Sequence, residues 1–361
     1  MPIRRSGWMQ RWRRSEKRST RWRTPIRINQ VRFVAILALA SAPALAGQGA
    51  GRTGAGVVAN PFLGKQLPLE PGYRVYIVAA MSGMGTAVDA RELSPPVDGA
   101  PLSATVNNAD YETRFRSLFT QEANAAVHGA RLAGAGSIVV SDAHPANNFG
   151  SILPWEIDSL ATLVRGFPRP LFMISGLDST FGTVMFIGAT ASAGTPGVLS
   201  HTFGFDALAI DGKVMNEVTV NALIAGEMGV PVSLVAGDDA AIAECRAILG
   251  SDFVPVITKY AVGTMAAITL SPARVHQVLA TGATLAVQSA RDHRLKPFTM
   301  EKPYRVEFTL AKTLPDSVSA EVAALTGFGL ERTGARSFRF TTADARQIGY
   351  LIDAIEPLAV R

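Results

Sequence analysis

Apolar and polar positions alternate in blocks along most of this chain. RVYIVAA (74–80) is a nearly unbroken apolar run that ends in a glycine-containing turn, the pattern of a strand buried on both faces. In TRFRSLFTQEANAAVHGARLAG (113–134) apolar residues recur at helical spacing until Gly134 and Gly136 stop them. SIVVSD (137–142) and TVMFIGA (183–189) read as further strands, and FDALAIDGKVM (205–215) as a hairpin turning on Asp211-Gly212. A helix (EVTVNALIAGEMG, 217–229), a strand (PVSLVAG, 231–237) and a second helix (DDAAIAECRAILG, 238–250) follow, the last with aspartates suited to its N-terminus. Beyond them the spacing predicts a helix over 272–291, a strand at YRVEFTLA (304–311), a short helix near 318–325, a strand at SFRFTT (337–342) and a helix at ADARQIGYLIDAI (343–355). This order predicts an α/β fold, a layered sheet with helices on both faces over 73–298, plus a smaller α+β C-terminal domain over 299–361.

Composition changes the picture only at the N-terminus. The formal charge of +6 is confined: residues 1–32 hold 11 of the 35 Lys and Arg and one acid, Glu16, which leaves 24 basic against 28 acidic residues, a net of −4, in the remainder. A basic arm of this kind suits nucleic acid or an anionic membrane, but its sequel points elsewhere. FVAILALASA (33–42) is too short to span a bilayer, and Pro43-Ala44-Leu45-Ala46 supplies small residues for cleavage after Ala46. Basic, apolar, small is the order of a secretory signal peptide, expected over 1–46 with Met1 or Met9 as the start. A flexible linker is expected over 47–72, with no stable membrane span once the signal is removed, no nucleic-acid partner, and a periplasmic or secreted location. Cys245 is the only cysteine, so neither an intramolecular disulfide nor a zinc-thiolate cluster can form.

Candidate chemistry is sparse. YIVAAMSGMGTAV (76–88) leads from the first strand into a small-residue turn that carries no charge before Asp89. Of the five histidines, His128, His276 and His293 read as surface or packing residues, whereas His144 follows a buried strand in IVVSDAHPANNFG, two residues after Asp142, and His201 lies in the loop TPGVLSHTFGF. Side chains just past the carboxyl ends of sheet strands face the crevice where α/β proteins hold ligands.

SLFTQEANAAVHGA, IVVSDAHPANNFG, MISGLDSTFGTVMFIGATA and TPGVLSHTFGFDALAIDGKVMNEVTVNALIAGEMGVPVSLVAGDD, taken together, resemble the M55 family of metallopeptidases, the D-aminopeptidases, from about residue 74 to the C-terminus. The resemblance implies two zinc ions, a homo-oligomer of stacked rings with pockets facing an internal channel, and short peptides with an N-terminal D-amino acid as substrates. It also implies a ligand set, which carries over unevenly. The histidine of the family's NDSH segment corresponds to His144, its late glutamate to Glu217, and the histidine that acts at its reaction centre to His201. The bridging aspartate of its S-x-D-x-E-G segment corresponds to Ala80, the following glutamate to Ser82, and the GYHA histidine to Thr190. Three of five expected ligands are therefore replaced, and none or one zinc ion is expected here.

One imidazole and one carboxylate fall short of the three protein ligands usual for catalytic zinc. Asp142 could complete a mononuclear site with His144 and Glu217, although the family already has an aspartate there. Ser82 could act as a nucleophile with His201 or His144 as base, although A-M-S-G-M is not the G-x-S-x-G elbow. Gly83 and Gly85 could cradle a phosphate, although no lysine in the segment partners it. The balance favours the family fold with weak, mononuclear or absent peptidase activity, the alternative being a non-catalytic peptide-binding or scaffold protein. Export makes one prediction directly: the mature chain begins near Gly47 and is acidic, which N-terminal sequencing of the protein recovered outside the cytoplasm checks, and a soluble cytoplasmic form retaining Arg4 to Arg32 contradicts.

Overall fold

The computed structural model describes residues 71–93, 114–145, 148–312 and 329–359, with side chains in the last helix as far as Ile355. The expected signal peptide, nearly all of the linker and the helix expected near 318–325 lie outside the described residues. In chain order the strands are β1 (Tyr73–Ala79), β2 (Ala135–Asp142), β3 (Ala161–Val164), β4 (Thr183–Ala189), β5 (Phe205–Ile210), β6 (Lys213–Val214), β7 (Val232–Asp238), β8 (Val254–Gly263), β9 (Ala266–Thr269), β10 (Tyr304–Leu310), β11 (Glu331–Arg332) and β12 (Ser337–Thr342). The helices are α1 (Arg116–Leu132), α2 (Glu217–Glu227), α3 (Asp239–Leu249), α4 (Pro272–Arg291) and α5 (Arg346–Ala359).

Two sheets result. A seven-stranded sheet runs β3-β2-β1-β4-β7-β8-β9, parallel except for the antiparallel pair β8 and β9, and a five-stranded antiparallel sheet runs β11-β12-β10-β5-β6. The period-2 pleat of β1 sorts its side chains between two cores. Val75, Ile77 and Ala79 meet Phe119, Ala123 and Val127 of α1 and Val275, Leu279 and Ala283 of α4. Tyr76 and Val78 join the opposite core, built with Val218 and Ile224 of α2, Ile242 of α3, and Phe308 and Phe338 of the second sheet. The layered α/β architecture with helices on both faces is thus present. The antiparallel sheet draws on both sides of the boundary placed near residue 298, because β10 pairs with β5 as well as with β12.

Local chemistry accounts for most boundaries. Asp211 and Gly212, both at positive φ, make the tight hairpin turn between β5 and β6. Asn216 caps α2 in a reciprocal capping box with Thr219, Asp238 caps α3, and Ser271 with Pro272 opens α4. A run of ring contacts, Phe149–Phe172–Phe203–Phe205–Phe308–Phe338 at centroid separations of 5.0, 5.9, 6.1, 5.1 and 5.5 Å, ties the loops above the large sheet to the second sheet.

The turn after β1 is held by a buried charge pair that periodicity did not reveal. Lys259 of β8 is fully buried and donates from Nζ to the carbonyls of Met84 (2.9 Å) and Ala87 (2.6 Å). Glu122 of α1 accepts from the Gly85 N–H at 2.9 and 3.1 Å. Burial pushes the Glu122 carboxyl up to about 7, opposed by the Gly85 hydrogen bond and the Lys259 charge, and pushes the Lys259 ammonium down to about 8, opposed by Glu122. Replacing Lys259 with Met leaves two buried carbonyls and a carboxyl without their cation. Lys259→Met is therefore expected to lower unfolding free energy by about 3–5 kcal/mol, and Lys259→Met/Glu122→Gln by less than Lys259→Met alone, as denaturant titration measures.

Candidate functional site

The residues singled out by the sequence lie at the carboxyl ends of three neighbouring strands. β1 sits between β2 and β4, with Ala79 in register with Asp142 on one side and Ile187 on the other. Ala80 follows β1 and donates its N–H to Ile187 (3.0 Å); Ser82 lies in the short 3-10 turn Met81–Gly83; Asp142 ends β2, with His144 two residues beyond; Thr190 directly follows β4. Glu217 opens α2, and His201 lies in the loop between β4 and β5.

Ala80, Thr190 and Glu217 share the lining of one cavity with Val78, Met173, Phe186 and Val218. Its volume is about 10 Å³, room for a single water at most. The turn above it packs backbone against backbone: a Cβ on Gly83 would stand 2.1 Å from the Gly188 carbonyl oxygen, and Gly188, at φ +75°, has the Ala80 carbonyl oxygen 1.8 Å from its own Cβ position. Only glycine fits either place. The Gly85 N–H, which an anion would need, already donates to Glu122, so the turn between Gly83 and Gly85 is a structural bend and not a phosphate cradle.

The carried-over donors are engaged one by one. His144 is buried, and its Nε2 lies 2.8 Å from the Leu93 carbonyl oxygen. A carbonyl only accepts, so this nitrogen carries the proton, and the lone pair of the ring is on Nδ1. Burial also holds the imidazole down to about 4, so the ring is neutral. Asp142 is fully buried, with one carboxylate oxygen accepting from the Ile152 N–H (2.8 Å) and the other from the His144 N–H (3.2 Å). Burial raises its pKa despite those bonds. Both oxygens serve the backbone, and the mononuclear site in which Asp142 joins His144 and Glu217 is not assembled.

Glu217 and His201 do meet. His201 Nε2 lies 3.6 Å from Glu217 Oε1, and that oxygen also accepts from the Phe203 N–H at 2.7 Å. On the other side of the ring Nδ1 donates to the Leu199 carbonyl (2.8 Å) and lies 3.5 Å from Thr190 Oγ1. Leu199 and Phe203, which bracket His201, both adopt positive φ, a strained conformation held by the surroundings. Glu244 accepts from the Ser192 N–H and hydroxyl and the Thr195 hydroxyl; Asp238 accepts from the Val198 N–H; the Leu199 N–H donates to the Thr264 carbonyl. These anchors fix the His201 loop. Ser82 is buried, and among the described residues neither His201 nor His144 hydrogen-bonds to it, so the serine-nucleophile arrangement is not formed. Nor, among the described residues, do three or more His, Cys, Asp or Glu side chains come together in a group that could hold a metal ion.

A parallel sheet with its candidate chemistry at the strand ends, backed by a small antiparallel sheet, defines an α/β enzyme-type fold. The chain belongs to the D-aminopeptidase family of M55 peptidases, whose family model matches residues 73–354. It is 33% identical over 211 residues to a D-aminopeptidase of Bacillus subtilis (strain 168), covering 56% of this chain and 73% of that protein. It is also similar to a solved structure described as the Zn-dependent D-aminopeptidase DppA from Bacillus subtilis, a self-compartmentalizing protease, with a TM-score of 0.68 and 27% identity over 80% of this chain and 98% of that one.

The residues present do not fit a pair of zinc ions. The Ala80 and Ser82 positions offer no carboxylate, Thr190 offers a hydroxyl within reach of His201, and the space between Ala80 and Glu217 is that of one water. Thermal unfolding is accordingly expected to be the same with and without a strong chelator; a fall of many degrees in chelator would reveal a structural metal.

Proposed function

We propose that this chain is an exported M55-family protein directed to short peptides with an N-terminal D-amino acid, in which the dinuclear zinc centre is depleted and peptidase activity is weak, mononuclear or absent. The observation that carries this reading is the use made of the surviving donors. His144 gives its Nε2 proton to Leu93, Asp142 serves two backbone amides, and Glu217 holds the Phe203 amide and faces His201. A catalytic zinc site keeps three protein ligands and an open position, and neither is provided here. Family membership and the peptidase relatives support the substrate class. The description of the DppA relative as self-compartmentalizing supports assembly of several copies, as a ring.

The second reading, a non-catalytic peptide-binding or scaffold protein, is favoured by the closure of the cavity beside Glu217 to about 10 Å³, which leaves no room for a scissile bond between Ala80 and Thr190.

Metal content and activity of the purified protein separate these readings. The unmodified chain is expected to bind no stoichiometric zinc and to hydrolyse D-alanyl dipeptides at background rate, and tight zinc with robust hydrolysis would overturn the proposal. Ala80→Asp/Ser82→Glu/Thr190→His returns the three missing donor types, and calorimetry is expected to show zinc affinity gained over the unmodified chain. Ala80→Asp alone, adding a carboxylate beside Glu217, is expected to gain less, because it returns one of the three missing donors.

A further inference from the structure

Away from the site, the hairpin of β8 and β9 carries an uncovered apolar face. Tyr260, Val262, Met265 and Ile268 are 48%, 69%, 61% and 67% exposed. Tyr260 pairs directly with Ile268 across the two strands. Tyr260 and Ile268 share one side, Val262 is the extra, unpaired residue at the irregularity of register, and Met265 stands at the tip. β9 is the last strand of its sheet, and among the described residues no strand pairs with its outer side. Single exposed apolar residues are ordinary, but four on one hairpin beside an open strand edge mark an interaction surface.

Soluble proteins protect such an edge with charge, proline or a bulge. Residues 260–270 read YAVGTMAAITL, with no charged residue and no proline. The single irregularity of register lies between Ala261 and Gly263, opposite the start of β9.

We propose that this hairpin is the interface with a second copy of the chain, in which β9 pairs antiparallel with β9 of the copy about a twofold axis. The uncharged surface chooses the occupant. Nucleic acid or an anionic lipid surface finds no lysine or arginine on it, whereas two identical neutral edges meet without repulsion and complete each other's backbone hydrogen bonds. A specific interface needs about 1,000 Å² buried in all, to which each copy contributes its hairpin face and its open strand edge. The surface is also coupled to the site, since the Thr264 carbonyl at the hairpin tip accepts the Leu199 N–H at 2.9 Å, two residues before His201. The inference rests on the proposal above that copies assemble, and names the surface through which they do so.

Sedimentation of the purified protein tests it. The unmodified chain is expected to sediment above monomer mass at micromolar concentration. Ile268→Lys and, separately, Val262→Lys are each expected to weaken self-association by at least about tenfold, through like charges facing across the axis. Their melting temperatures measured below the association range should match the unmodified chain, because both side chains are exposed. Mixing Ile268→Lys with Ile268→Glu is expected to restore the larger species. Unchanged assembly in both lysine variants would overturn this surface and leave assembly itself standing, and a chain that stays monomeric at every concentration would overturn both.

Discussion

The contact on which the rest of the site depends is the backbone-to-backbone seat of the turn after β1 on the end of β4. Gly83 and Gly188 leave no space for a Cβ between the two segments, so the turn cannot rise away from the sheet without losing that seat. Beyond it the chain is drawn down by three polar contacts: Lys259 on the Met84 and Ala87 carbonyls, Glu122 on the Gly85 amide, and His144 on the Leu93 carbonyl. Each buried polar group is matched to a backbone partner, which is the condition for burying it at tolerable cost. The segment from Ala80 to Leu93 therefore lies over the strand ends as a fixed cover.

That cover gives the side chains at the proposed ligand positions structural partners of their own. A histidine that donates its Nε2–H to a carbonyl stabilises the fold through the bond it makes, and the same bond commits Nε2 and leaves the ring's lone pair on Nδ1. Asp142 is similar: burial penalises its charge and raises its pKa, and the amides of Ile152 and His144 offset part of that penalty. Hydrogen-bonding roles of this kind are often secondary to a metal in a metalloenzyme. Here they are the contacts that the structure contains.

How much of this was legible beforehand differs between elements and side chains. Most strands and helices followed from period and caps, and 183–189, 272–291 and 337–342 coincide with the expected ranges. The hairpin from 254 to 269 was not anticipated, because VPVITKYAVGTMAAIT has no clean alternation: its first half is buried on both faces and its second half projects from the body. Lys259 falls inside that ambiguous run, so a buried lysine could not be told from a solvated one. Glu122 was hidden in the same way, in a helix that also buries Arg116 and Thr120. Inward-facing charges are a property of tertiary packing, and periodicity registers them only as noise. The partner of His144, a main-chain carbonyl, carries no signal in residue type at all.

On the proposed correspondence, Ala80, Ser82 and Thr190 form a coherent set when electrostatics is considered. Two divalent cations offset the mutual repulsion of clustered carboxylates, and without them a buried Asp at 80 and Glu at 82 beside Glu217 would repel one another and shift toward their neutral forms. Ala80, Ser82 and Thr190 are small and uncharged, and they close the space to about 10 Å³ around the carboxylate that remains. Glu217 Oε1 stands 3.6 Å from His201 Nε2 at the solvent edge, where the His201 side chain is 39% exposed. A pocket that had lost only one ligand would retain the repulsion and gain nothing from it. On that correspondence, small neutral side chains at all three positions let this packing hold without ions to offset buried carboxylates.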